Sequence, residues 1–282
     1  MEPEPVAGPV RTLATAATTS GYLAGIGVSL RPPATCPFDP GYDLGTLRGH
    51  LEQSAHLMAV LKVSMACWMV ADEQVSRAKI RLAAAHNVPA AAGGGPFEVA
   101  AVQGRIPEYL DLAAGMGFSR VEVSQGFTEV VIDPVRVVKM AADRGLQVQY
   151  ELGSKHAGPF TDAVLSRMLA SGEEWLGAGA VDLIIEARED ACDVGLFDAA
   201  GQPNWGYADA IVDSFGTDMV TFEAPTKRSQ FEFLDHFGPD VRLSNVRLEE
   251  LLRVEIYRYG MHSDAFANPL LRPHPPEASQ AV

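Results

Sequence analysis

The chain has 282 residues, 47% of them hydrophobic and 21% charged, which is enough for a large buried core. Its net charge of −14 argues against nucleic acid or an anionic membrane surface as partner, because both need basic patches. Cys36, Cys67 and Cys192 show no C-x-x-C spacing and read as reduced thiols, and no apolar run approaches the ~20 residues of a membrane span. The N-terminus lacks the basic region and apolar core of a signal peptide, so a cytoplasmic protein is expected.

In chain order, residues 1–20 read as a mobile arm. Tyr22 to Leu30 is apolar and glycine-containing, and we take it as the first strand. A loop through Asp39-Pro40-Gly41 leads to a helix from Asp43 to about Ala55, and Leu57 to Val63 follows as a second strand carrying Lys62 near its tip. Asp72 to Ala85 has helical spacing, and Val88 to Ala92 is a short strand before Gly93-Gly94-Gly95. A helix from Gly104 to Ala114 stops at Gly115 and Gly117, ahead of a fourth strand, Ser119 to Ser124.

Asp133-Pro134 is an N-cap followed by proline at the first helical position, and that helix ends near Gly145. Leu146 to Leu152 is the fifth strand, and Thr161 to Leu176 the next helix. Val181 to Glu186 is a buried sixth strand with charges at its carboxyl end. A helix over 206–215, a strand over 218–222, a helix over 227–237, a strand over 241–243 and a final helix over 248–259 complete the series. Residues 267–282 form a Pro-rich tail.

Eight strand-then-helix units without long linkers imply parallel strands with crossover helices, and the size suits a single (β/α)8 barrel over residues 21–266. A doubly wound open sheet is the competitor. It is the weaker fit, because Gly25-Ile26-Gly27 lacks the third glycine of a dinucleotide loop and Gly93-Gly94-Gly95 lacks the lysine of a phosphate loop.

In a barrel the carboxyl-end tips converge on one mouth. Those tips carry Asp39, Lys62, Glu122, Ser124, Glu151, Lys155, Glu186, Arg188, Glu189, Glu223, Lys227 and Asn245. Converging carboxylates and a few cations suit a small anionic substrate held partly by Mg²⁺. Each residue also has a structural alternative: Asp39 or Glu98 as a helix cap, Glu186 and Arg188 as a rim ion pair, Lys155 as a solvated side chain. The seven histidines show no zinc-site spacing, and no G-x-S-x-G elbow is present.

At these tips the sequence resembles the phosphosulfolactate synthase family. Gly93 to Ala100 is similar to its GGTxFExA segment, Glu122-Val123-Ser124-Gln125-Gly126 to EISDG, and Glu151 to Lys155 to EVGKK. Glu186-Ala187-Arg188-Glu189 resembles VEARE, Phe222 to Lys227 resembles FEAPxK, and Val241 to Asn245 with Glu255, Arg258 and Gly260 resembles the closing NVNLGN…LExLRxGL. The chain departs from the family pattern where KFGWGTS becomes Lys62-Val63-Ser64-Met65-Ala66-Cys67-Trp68, where DKG becomes Asp39-Pro40-Gly41, and where Gln125, Ser154 and Ser244 stand.

The resemblance implies a (β/α)8 barrel and a Mg²⁺-dependent lyase that adds sulfite, or a related nucleophile, to phosphoenolpyruvate or a similar enol acid. It implies Lys155 as general acid, with Arg188 and Glu151 beside it in catalysis. Lys62, Ser124, Lys227, Ser244 and Asn245 would contact substrate, and Glu122, Glu186 and Glu223 would hold the metal. A homo-oligomer is expected. The alternatives are a barrel enzyme of changed substrate in specialised metabolism, or a non-catalytic stress-associated homologue.

Overall fold

A computed structural model describes residues 18–28, 31–153 and 160–274. A short helix, α1 (Thr19–Gly25), comes first, followed by β1 (Thr35–Asp39), α2 (Leu44–Ser54), β2 (Leu61–Val63), α3 (Cys67–Val70) and α4 (Glu73–Ala85). Then come β3 (Ala90–Ala92), α5 (Gly95–Val102), α6 (Ile106–Met116), β4 (Arg120–Ser124), α7 (Pro134–Ala142) and β5 (Gln147–Leu152). The chain closes with α8 (Asp162–Ala178), β6 (Asp182–Ile185), α9 (Trp205–Phe215), β7 (Val220–Glu223), α10 (Lys227–Phe237), β8 (Arg242–Arg247) and α11 (Leu251–Arg258). Each strand pairs in parallel with the next, and β8 pairs with β1, so the eight described strands close into a barrel. No helix among the described residues is long and apolar enough to cross a membrane.

The helices begin where the sequence supplies caps. Asp43, Asp72, Asp133, Thr161 and Asn204 each accept a hydrogen bond from a backbone N–H in the first turn of α2, α4, α7, α8 and α9. Thr226 and Ser229 form a reciprocal capping box on α10. The strands are short and mostly buried, and their outward faces pack on the helices through one large apolar cluster that includes Trp175, Phe97, Phe222 and Phe233. An interior filled by side chains leaves function to the carboxyl-end loops.

The first strand is displaced from the sequence expectation. Tyr22 to Gly25 lies in α1, capped by the Thr18 hydroxyl, and Ser29 and Leu30, the end of the expected strand, lie outside the described residues. The strand that enters the barrel is Thr35-Cys36-Pro37-Phe38-Asp39. An apolar, glycine-containing run fits helix or strand equally, and Pro37 disguises the true strand because proline cannot donate to a ladder. The barrel accommodates it at an irregularity: Cys36 pairs with Ser244 but Pro37 pairs with Val246, which leaves Asn245 as an extra residue on β8. Asn245 adopts φ 57°, as a bulge residue can. For the same reason β8 runs through Ser244 and Asn245 to Arg247 instead of stopping at Leu243. The arm before residue 18, the tail after residue 274 and residues 154–159, which include Lys155, lie outside the described residues.

Candidate active site

Alternation along each strand decides which side chains enter the barrel. On β5 it brings Gln149 and Glu151 to one face, both buried; Lys62 on β2, Glu122 on β4 and Glu223 on β7 are buried with them. At the carboxyl end these residues meet. The Lys62 ammonium lies 2.9 Å from Glu122 Oε1 and 2.9 Å from Glu223 Oε1. Glu122 Oε1 also accepts from the Gly94 N–H (3.0 Å), and its Oε2 accepts from Gln149 Nε2 (3.0 Å). Glu223 Oε2 accepts from the Ala187 N–H at 3.0 Å. Glu186 Oε1 accepts from the Arg188 N–H at 2.6 Å, and Arg188 sits at φ 57°.

These groups open onto a cavity of about 80 Å³. Glu151, Glu186, Glu189, Arg188 and Asn245 share its lining with the Lys62 network. The wall facing β1–β3 is of a different character: Phe38, Ser64, Met65 and Gly93 to Gly95. Met65 is 58% exposed and is held at φ 38°. A β-carbon on Gly94 would stand 2.7 Å from Ser124 Oγ, so glycine is required there for the loop to reach Glu122.

Among the described residues, four buried glutamates surround one buried lysine, and the electrostatics follow from that. Burial opposes the charge on Lys62, but Glu122, Glu223 and Glu151 outweigh it and hold the ammonium well above its ordinary value. Burial pushes Glu223 up to about 7; Lys62 pulls it back, while Glu186 and Glu122 push it further.

The structure brings Lys62, Glu122, Glu151, Glu186, Glu223, Arg188 and Asn245 to one cavity. Ser124 lies just behind it, fully buried, and donates to Glu98 at 2.6 Å. Glu98 also accepts the backbone N–H groups of Gly126, Phe127 and Thr128, so it anchors the loop after β4. Ser244 is buried on β8, opposite Glu223 in register. Lys227 stands apart, exposed at the start of α10 with its ammonium 5.2 Å from the Phe231 ring centre. Lys155 lies outside the described residues.

The cavity also holds Phe38, and Gln149 stands behind it, neither of them a sequence candidate, while Met65, one of the departures after Lys62, lines it and Cys67 and Trp68 do not. Gln149 could have been found, since it precedes Glu151 by two on the same strand and so shares its face. Phe38 is hidden by the misplaced first strand. Met65 is marked by its departure from the KFGWGTS segment.

Residues 33–264 match the sequence model of the family "(2R)-phospho-3-sulfolactate synthase (ComA)". The chain belongs to this family. It is 28% identical over 233 residues to the phosphosulfolactate synthase of Methanocaldococcus jannaschii, an alignment covering 82% of this chain and 93% of that protein. It is 31% identical over 198 residues to the Bacillus subtilis phosphosulfolactate synthase, covering 67% and 75%. Family membership identifies the chain as a lyase-type barrel enzyme and makes the cavity at the carboxyl-end tips its candidate active site.

Mg²⁺ can be tested against this donor set. Among the described residues no three His, Cys, Asp or Glu side chains are gathered closely enough to hold a metal. Lys62 already supplies the cation between Glu122 and Glu223. An octahedral Mg²⁺, however, needs only one or two carboxylates and completes its shell with water and substrate oxygens. Glu151 on β5 and Glu186 just after the neighbouring β6, both lining the cavity, fit that lesser requirement.

Proposed function

We propose that the protein adds sulfite, or a related sulfur nucleophile, to phosphoenolpyruvate or a similar enol acid. The observation that supports this reading is the cavity where, among the described residues, four buried glutamates surround Lys62, in a chain of the phosphosulfolactate synthase family. Mg²⁺ would be held by Glu151 and Glu186, with Glu122 and Glu223 reaching it only through the Lys62 network. When bound, it would stabilise negative charge building on the substrate carboxylate.

The remaining steps belong to the chain's own side chains. The Arg188 guanidinium, exposed at the rim, grips the phosphate or carboxylate with paired hydrogen bonds. The Asn245 carboxamide, re-aimed into the cavity by the β8 bulge, orients the same group. The sulfur lone pair attacks the methylene carbon, and the π electrons move toward the carboxylate. Lys155 then gives a proton to C2 as general acid. Lys62 stays charged throughout and offsets the substrate's negative charge in a site otherwise crowded with carboxylates.

Incubation with phosphoenolpyruvate, sulfite and Mg²⁺, followed by mass spectrometry, should show a sulfonate product. Lys155→Ala should lower turnover by about 10²- to 10⁴-fold. Equal product from both proteins would remove Lys155 from the mechanism. Mg²⁺ binding has a readout of its own, since Mg²⁺ should raise the melting temperature of the wild type and not of Glu186→Gln. The apolar Phe38–Met65 wall favours a second reading, a nucleophile carrying an apolar substituent, and simple thiols in the same assay test it.

A further inference from the structure

A second cavity lies outside the barrel mouth, between the β1–α2 loop, α3 and α4. Its volume is about 190 Å³. Val63, Trp68, Val75 and Ile80 supply mostly apolar walls, and Ser76 and Lys79, one helical turn apart on α4, supply the polar groups. Lys79 is a built feature: its side chain is only 10% exposed and its ammonium lies 2.5 Å from Asp39 Oδ2. Asp39 is itself fixed, since its Oδ1 accepts the N–H groups of Gly41 (2.8 Å) and Tyr42 (2.7 Å).

An ammonium carries three donors. Among the described residues Lys79 has Asp39 as its one ion-pair partner. Spare donors therefore face a mainly apolar space. An apolar cavity of about 150 Å³ is large enough to hold benzene. This one has room for a single ring, or an equivalent aliphatic body, plus a polar atom.

Charge decides the class of ligand. Asp39 already neutralises Lys79. A carboxylate entering beside the pair would bury an uncompensated negative charge close to Asp39, which is costly in a low-dielectric site. A neutral oxygen acceptor takes a spare Lys79 N–H and adds no charge. We propose that this cavity is a second small-molecule site, taking a compact, uncharged, mainly apolar molecule that offers one hydrogen-bond acceptor to Lys79.

The test uses the full chain and three probes, benzamide, benzoate and toluene, followed by ligand-observed NMR and calorimetry. Benzamide should bind saturably, with a dissociation constant on the order of a millimolar or below. Benzoate and toluene should bind at least about tenfold more weakly. Ala71→Trp, at an exposed position on the cavity edge, should abolish benzamide binding while leaving the phosphoenolpyruvate-induced thermal shift intact. Lys79→Met should erase the preference for benzamide over toluene. That variant leaves Asp39 buried without its cation, so if it fails to fold, Ala71→Trp and the three-probe comparison carry the test. Benzoate binding as tightly as benzamide would overturn the charge argument. Equal binding of toluene would remove Lys79 from the site, and no saturable binding of benzamide would overturn the proposal as a whole.

Discussion

The two ends of this barrel both bury charge, but they bury it differently. At the amino end Arg258 donates to Glu255 Oε1 (3.1 Å), to Thr35 Oγ1 (2.9 Å) and to the carbonyls of Pro239 and Val241 (2.7 Å each). Thr35 in turn donates to Glu255 at 2.5 Å. One cation meets one anion, and the guanidinium's remaining donors go to fixed acceptors. At the carboxyl end Lys62 bridges Glu122 and Glu223, and together with Glu151 and Glu186 they line a cavity. A balanced, closed network holds elements together. One that opens onto a cavity keeps charged groups within reach of a ligand, which costs stability and suits a site.

Breaking each network should give opposite signatures. Arg258→Met strands Glu255 in a dry environment and should cost about 3–5 kcal/mol of stability, read by denaturant unfolding. The activity of the molecules that remain folded should not change. Lys62→Met should do the reverse, lowering turnover by about 100-fold or more. Its stability cost should be smaller than that of Arg258→Met and should shrink below neutral pH, because Glu223, already raised to about 7, can take up a proton once the ammonium is gone. A Lys62→Met protein as destabilised as Arg258→Met at every pH would mean that the mouth is as closed a network as the floor.

This difference between the ends is only partly legible in the sequence. Glu255 and Arg258 stand beside Glu186 and Arg188 as motif residues of equal standing, and nothing in their spacing says that one pair closes the floor while the other lines the mouth. The barrel is legible because repeated strand–helix alternation is a local pattern with one dominant topological solution. Most tips are legible because a charge after an apolar strand has to emerge at its end. The first strand is not, because Pro37 is tolerated only by a bulge that forms between β1 and β8, at opposite ends of the chain. The Glu122–Lys62–Glu223 network is not legible either, since its pairing depends on three strands meeting inside a closed sheet.

The two ends should also separate by pH. Glu223, at the mouth, is raised from 4.5 to about 7, chiefly by burial. Asp182, toward the floor, is raised from 3.8 to about 6 by burial, against the pull of Arg242 at 2.9 Å. In both cases the folded state favours the protonated form. The stabilisation is therefore complete below the ordinary value and is lost as pH rises through the folded one. For Glu223 that window runs from about 4.5 to 7, with a size on the order of 3 kcal/mol. Glu223→Gln should flatten stability in that window and leave the lower Asp182 window in place. Asp182→Asn should do the opposite. A single variant that flattens both windows would show that the two ends titrate as one system.

The smallest effect is expected where a motif lysine stands outside both networks. Lys227 is a sequence candidate for substrate contact, yet it is exposed at the start of α10 and its ammonium lies over the face of Phe231. An exposed cation over a ring contributes about 0.5–1 kcal/mol. Lys227→Ala should therefore lower stability by no more than about 1 kcal/mol and change KM by less than about threefold. Arg188→Ala, at the same rim but on the cavity lining, should raise KM by about tenfold or more, because a bidentate grip on an anion is worth about 1.5–3 kcal/mol. A large KM effect at Lys227 would extend the working mouth across the α10 start. A small one leaves the site where the glutamates of the β4 to β7 tips gather around Lys62 of β2.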